Sequence, residues 1–253
     1  MIFAIIFFIF AAFFFWAGDA CFSSEYPLLW VAGILFYWAA VAEAVTGSLY
    51  LLASLFRVNP GWNFKDHRGK VVFSSRLFAW PYLYFERRAW KRYRERTKEP
   101  LLEEVRDGLF IGARPTTDDL HLLREKNINT VLDMVAEFED PEELREEMKY
   151  LSVPVMDGTA PSDTDLFEGA KFAADAVAAG NRVLVHCTFG HGRSATACAG
   201  ALLMLGDAAS VEDAINILKR CKRRIWITRD QKKALDRSLT KPNVIAKQKE
   251  EKE

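Results

Sequence analysis

The first 56 residues contain no lysine or arginine. That absence removes the basic leader with which an ordinary signal peptide opens. With Asp19, Glu25 and Glu43 as its only charged side chains, this stretch is apolar almost throughout. Cysteine is scarce as well. Cys21, Cys187, Cys198 and Cys221 form no CxxC pair and no regular spacing, which argues against a disulfide framework or a structural zinc site and fits a reducing compartment. No internal repeat is present, which sets repeat architectures aside. Low complexity is confined to the charged end of the chain, where residues 241–253 are expected to be disordered.

What is present is charge in blocks. The totals balance at 34 basic and 34 acidic residues, but residues 57–98 hold twelve Lys/Arg against Asp66, Glu86 and Glu95. The order is apolar (1–56), basic (57–98), then mildly acidic, and it reads as membrane segment, juxtamembrane stripe and soluble domain. Residues 1–17 form an unbroken apolar run that just spans a hydrocarbon core of roughly 30 Å, and residues 28–56 form a longer one. Two readings stay open for the first run: one arm of a two-span hairpin, or a cleaved leader with 18–20 as a loose cleavage site. Under either, the Lys/Arg surplus after Phe56 places the rest of the chain in the cytoplasm. Residues 57–98 interleave that charge with rings, Trp80, Tyr82, Tyr84, Phe85, Trp90 and Tyr93 among them. This suits contact with anionic lipid, and equally a solvated stop-transfer flank. Pro100 closes the block, so a catalytic domain is expected over 99–240.

From Leu101 onward, short apolar runs alternate with capped helical stretches, which predicts an α/β domain. Strands are expected at 108–111, 130–134, 150–153 and 182–186. Helix starts are expected at Thr116 with Asp119, Ser210 with Asp213 and Thr228 with Gln231, each a cap followed three residues later by an acid or amide. A further helix is expected to open at Asp163 or Thr164 and to stop near Gly180, and a weaker one over 142–149.

The informative segment is His186-Cys187-Thr188-Phe189-Gly190-His191-Gly192-Arg193-Ser194, between the apolar strand residues Val183, Leu184 and Val185 and an alanine-rich helix. A strand, a glycine-containing turn and a helix start aim successive backbone N–H groups at one point, where the helix dipole adds positive potential. A tetrahedral phosphate fits such a cradle. The same field lowers the pKa of a thiol at the loop's start, making Cys187 a candidate nucleophile. Arg193 offers a planar fork for two phosphate oxygens, and Ser194 a hydroxyl for the sulfur. Thr188, Phe189, Gly190, His191 and Gly192 complete the phosphate-binding loop. Phe189 is either pocket wall or core, and His191 either rim or solvent-facing. His186 is expected to support the loop by bonding backbone carbonyls. Cys198 is expected to be close-packed in the following helix, and the basic run 220–224 to be a solvated helix end.

HCTFGHGRS matches the HCxxGxxR[ST] signature of the protein tyrosine phosphatase superfamily, and the segments 105–112 and 128–133 resemble the first strands of its dual-specificity branch. The resemblance covers roughly 101–239. It implies an α/β fold with a dual-specificity-phosphatase-like central sheet flanked by helices, here preceded by N-terminal transmembrane helices. It also implies a phosphocysteine mechanism with no metal and no cofactor. Asp157, thirty residues before Cys187 in Val153-Pro154-Val155-Met156-Asp157-Gly158, stands where this branch places its general acid. Asp163 and Asp165 are rivals better explained as helix-start residues. The expected substrate is a phosphorylated protein or a simple phospholipid, and no nucleic-acid partner is expected. The rival function is a catalytically silent phosphate-binding membrane scaffold.

Overall fold

The computed structural model describes residues 1–66 and 68–239, so the tail 241–253 lies outside the described residues. Two long antiparallel helices open the chain, α1 (Ile2–Phe22) and α2 (Pro27–Phe56), and both are long and apolar enough to cross a membrane. They touch through small residues. Ala4, Gly18, Gly33 and Gly47 are buried between them, which lets the two backbones approach closely. Ile5, Ile9, Phe13 and Trp16 of α1 point outward, each more than half exposed.

A 3₁₀ turn (Pro60–Asn63) and the helices α3 (Phe73–Phe78) and α4 (Trp80–Arg96) follow. Residues 57–98 are packed into the domain that comes after them. Lys65 is fully buried and pairs with Asp133, while Asn59 and Trp62 donate to the Asp165 carboxylate at 2.9 and 3.2 Å. Helix α4 turns Tyr82, Glu86, Trp90 and Tyr93 toward the domain, a spacing that keeps one helical face inward. Its other face leaves Tyr84, Phe85, Arg88, Lys91 and Arg92 exposed.

The domain is a five-stranded sheet in the order β1-β2-β5-β3-β4, built from β1 (Leu102–Arg106), β2 (Leu109–Ala113), β3 (Thr130–Val135), β4 (Lys149–Val155) and β5 (Val183–Cys187). β1 runs antiparallel at the edge and the other four are parallel. The three inner strands are buried along their whole length, as parallel strands covered on both faces must be, and this is why they read as mostly apolar runs, with Thr130, Asp133 and His186 the polar residues among them. The hydrophobic pattern does not predict β1. Leu-Glu-Glu-Val-Arg carries three charges, which an edge strand tolerates and which hide it from such a pattern.

Helices α5 (Leu120–Glu125), α6 (Glu142–Glu147), α7 (Asp163–Ala178), α8 (Arg193–Leu205), α9 (Val211–Leu218) and α10 (Arg229–Leu239) complete the domain. The expected caps are formed at Thr116/Asp119, Ser210/Asp213 and Thr228/Gln231. α7 opens at Asp163 as expected, behind Ser162 as its cap, whose hydroxyl accepts from the Asp165 N–H at 3.1 Å. α8 is buried continuously from Arg193 to Leu202, and its alanines let it sit against both β5 and α7.

Candidate active site

Cys187, Asp157 and Glu137 all lie at or just beyond the C-terminal ends of adjacent parallel strands, β5, β4 and β3 respectively. Side chains from separate loops converge at this edge of an α/β sheet. From Cys187 the chain turns through Thr188–Gly192 into α8, whose first residue is Arg193. Gly190 makes the turn possible. Its φ is +75°, and a Cβ there would stand 2.4 Å from the Arg223 guanidinium.

The Gly190 N–H donates to Cys187 Sγ at 3.2 Å, and Ser194 Oγ lies 3.4 Å from the same sulfur. Burial alone would push the Cys187 thiol up. The Arg193 charge and the Ser194 hydroxyl and N–H more than offset this and hold it below its ordinary value. Cys198, buried in α8 without such partners, is pushed well up by burial and is an inert packing residue.

Arg193 is 1 % exposed and fully engaged at its two terminal nitrogens. One donates to Glu137 at 2.8 and 3.1 Å and to the Val155 carbonyl; the other donates to Thr188 Oγ1 at 2.9 Å and Asp157 Oδ1 at 3.0 Å. Glu137 is therefore the counter-charge that holds the guanidinium in place. It is buried, yet the Arg193 charge and the Tyr82 hydroxyl outweigh burial and keep it ionised.

Asp157 meets Arg193 through its side chain and is fixed through its backbone. Its N–H donates to Glu137 Oε1 at 2.8 Å and lies 3.2 Å from the Tyr82 hydroxyl, and its carbonyl accepts from Tyr50 of α2 at 2.9 Å. Burial raises the Asp157 carboxyl, Glu137 adds to the rise and Arg193 opposes it, for a net upward shift. The side chain remains 37 % exposed, so water tempers that shift. Asp163 and Asp165 are committed elsewhere, to Arg237 and to Asn59, Trp62 and Ser162.

The remaining loop residues have distinct places. Phe189 lines the cavity and meets Tyr93 edge-on, so it serves as both wall and packing. His191 sits at the rim, half-buried, with Nε2 2.9 Å from Glu99. His186 does not bond backbone carbonyls as expected. It is fully buried with Nε2 2.9 Å from Asp140 Oδ2, so carboxylates rather than backbone carbonyls are its partners. Asp133, Asp140 and His186 converge as a ligand-like trio, and the buried Lys65 ammonium supplies the cation beside them. Arg223 corrects the expectation for 220–224. Its guanidinium is buried and donates to Phe189 O at 2.6 Å, Tyr93 Oη at 3.2 Å and the Pro100 and Leu101 carbonyls, bracing the loop from behind.

Sequence reasoning misses Glu137, Tyr82 and Glu86. Glu86 is pushed up to about 9, first by burial and then by Glu137 and Asp157, and so stands neutral at pH 7. Glu137 has a signal, an acid two residues past the end of a buried parallel strand. Tyr82 and Glu86 have only the helical spacing of α4.

An open cavity of about 470 Å³ gathers Asp157, Cys187 and Arg193 with Phe3, Phe189, His191, Arg224, Trp226 and Gln231. A thiol held low at its floor, a fixed guanidinium and a carboxyl held high can carry out nucleophilic attack, anion stabilisation and proton transfer on a phosphate monoester.

A family profile described as the dual specificity phosphatase catalytic domain matches residues 109–237. Human dual specificity protein phosphatase 2 is 33 % identical over 118 residues, 46 % of this chain and 37 % of that protein. Dual specificity protein phosphatase 1B of Arabidopsis thaliana is 31 % identical over 96 residues, 38 % of this chain and 56 % of that protein. The matched region thus spans between a third and somewhat over half the length of these relatives. Among solved structures, PTPMT1 in complex with PI(5)P aligns with a TM-score of 0.52 at 24 % identity, covering 58 % of this chain and 99 % of that one. A point variant of human DUSP28 aligns at 0.50 and 21 %, covering 58 % and 99 %. At these identities the structural likeness is one of fold.

Proposed function

The chain belongs to the dual specificity phosphatase family, and on that premise we propose that it is a membrane-anchored, cysteine-dependent phosphatase that hydrolyses phosphate monoesters through a phosphocysteine intermediate. The observation that carries the reading is the meeting of Cys187, Arg193 and Asp157 in one cavity. In the first step the Cys187 thiolate attacks phosphorus in line. The S–P bond forms, the P–O bond to the leaving group breaks, and Asp157 protonates the departing oxygen. Arg193 and the loop N–H groups hold the equatorial oxygens in both steps, and Ser194 donates to the sulfur when the S–P bond breaks in the second. In the second step Asp157 takes a proton from water as that water attacks phosphorus, releasing phosphate and restoring the thiolate.

The anchor is α1 and α2, and the twelve basic residues after Phe56 support a cytoplasmic catalytic domain. The outward face of α4, with Tyr84, Phe85, Arg88, Lys91 and Arg92, suits contact with anionic lipid. Substrates of the class are phosphotyrosine, phosphoserine or phosphothreonine, or a simple phospholipid. The test is phosphate release by the purified full chain in detergent with aryl phosphates, phosphopeptides and phospholipids side by side. Turnover of none of them would overturn the reading.

A further inference from the structure

Resting on that reading, we propose that the hairpin holds Cys187 at the depth of the lipid headgroups, and that the substrate is the phosphate monoester of a lipid in the same bilayer. The depth follows from length. α1 has 21 residues, about 31 Å, which leaves almost nothing to spare across a hydrocarbon core of roughly 30 Å. Its first turn must therefore lie at the boundary between hydrocarbon and headgroups.

That first turn belongs to the catalytic cavity. Phe3 lines it together with Cys187, Asp157 and Arg193, and the Phe3 ring fills the space where a side chain on Gly158, next to Asp157, would stand. Phe3 also lies 5.3 Å, ring to ring, from Tyr50, whose hydroxyl holds the Asp157 carbonyl, so α2 is fastened at the same level. The cavity mouth is thus walled on one side by the end of the hairpin.

The surface that leads there is apolar. Ile2, Phe3, Ile5 and Ile9 leave α1 exposed down to the cavity, and Trp226, 68 % exposed, stands on its rim, an aromatic suited to the interface. A lipid bearing a terminal phosphate can keep its acyl chains along α1 while its phosphate enters the loop, and lateral diffusion alone brings it. A phosphorylated polypeptide would have to carry unpaired backbone groups to that depth.

The test uses the full chain reconstituted in phosphatidylcholine vesicles containing long-chain phosphatidic acid, compared with a phosphotyrosyl peptide and p-nitrophenyl phosphate. The expected result is a kcat/KM for the vesicle lipid at least tenfold above that for the peptide. Phe3→Ala should lower the ratio of lipid to aryl phosphate turnover at least tenfold, with a circular dichroism melt reporting that the variant is folded. A peptide hydrolysed as well as the lipid, or an unchanged ratio in Phe3→Ala, would overturn the inference and leave the phosphatase reading standing. No turnover of p-nitrophenyl phosphate by the unmodified chain would overturn both.

Discussion

The hydroxyl of Tyr82, on a helix that precedes the catalytic sheet, lies 3.2 Å from the backbone nitrogen of Asp157 and donates to Glu137, the carboxylate that holds Arg193. Burial first, and then the Glu137 charge, push the Tyr82 phenol well up, so it is a neutral donor at neutral pH. One side chain of the segment ahead of the sheet thereby positions both Asp157 and, through Glu137, Arg193.

Tyr82→Phe should consequently lower kcat on aryl phosphates by roughly tenfold, the effect of about 1.4 kcal/mol, by loosening the Asp157 loop. From the sequence, a domain starting at residue 99 is expected to keep its turnover of soluble substrates. Loss of Tyr82, Tyr50 and the buried Lys65 makes the opposite outcome the expected one, with residues 99–253 poorly folded or at least 10²-fold slower. Circular dichroism melts alongside p-nitrophenyl phosphate kinetics check both; a fully active fragment would show that these contacts are dispensable.

Cys187→Ser should abolish turnover while retaining phosphate-analogue binding, since Arg193 and the loop N–H groups remain. Vanadate should inhibit the parent enzyme competitively, and chelators should have no effect. Isothermal titration and steady-state kinetics read these outcomes, and a Ser variant with most of its activity would rule out the thiolate.

The two perturbed groups fix the shape of the pH profile. The Cys187 thiol, held low, is active when deprotonated, so kcat/KM rises as pH passes upward through its pKa. The Asp157 carboxyl, held high, is active when protonated, so the rate falls as pH passes upward through its pKa. Asp157→Asn should remove the alkaline limb and lower kcat roughly 10²-fold for poor leaving groups, with much less effect on acidic phenols that depart without a proton. Equal losses on both kinds of substrate would mean that Asp157 acts only through the fold.

Much of this is legible in the chain because the loop is local. HCTFGHGRS brings Cys187, Arg193 and a helix start together within nine residues, and the inner strands of the sheet are buried and hence mostly apolar. Asp157 needs the resemblance, since spacing alone leaves it among three aspartates. Glu137, Tyr82 and Arg223 are invisible for a physical reason: each acts across a distance in sequence of 20 residues or more, and an isolated Glu, Tyr or Arg carries no periodic signature. Arg223, inside a basic run, looks like a solvated charge until the fold buries it behind the loop.

The last prediction concerns how many phosphates the cavity accepts. No Lys or Arg lies between Cys187 and Arg193, and each further phosphate in a desolvated pocket requires its own counter-charge. Arg193 is given to the transferred group. Arg223, behind the loop, is spent on backbone carbonyls and is not among the described residues that line the cavity. Arg224 at the rim is left as the one arginine besides Arg193 among the described lining residues, and His191 adds charge only when protonated, which burial, its largest influence, opposes. A headgroup with a single phosphate monoester should therefore be preferred over polyphosphorylated ones. The measurement is kcat/KM for the full chain on matched mono- and polyphosphorylated inositol headgroups in vesicles. A tenfold or greater preference for the polyphosphorylated lipids, worth about 1.4 kcal/mol, would show that cations beyond the cavity, from Arg57 or the outer face of α4, reach the substrate.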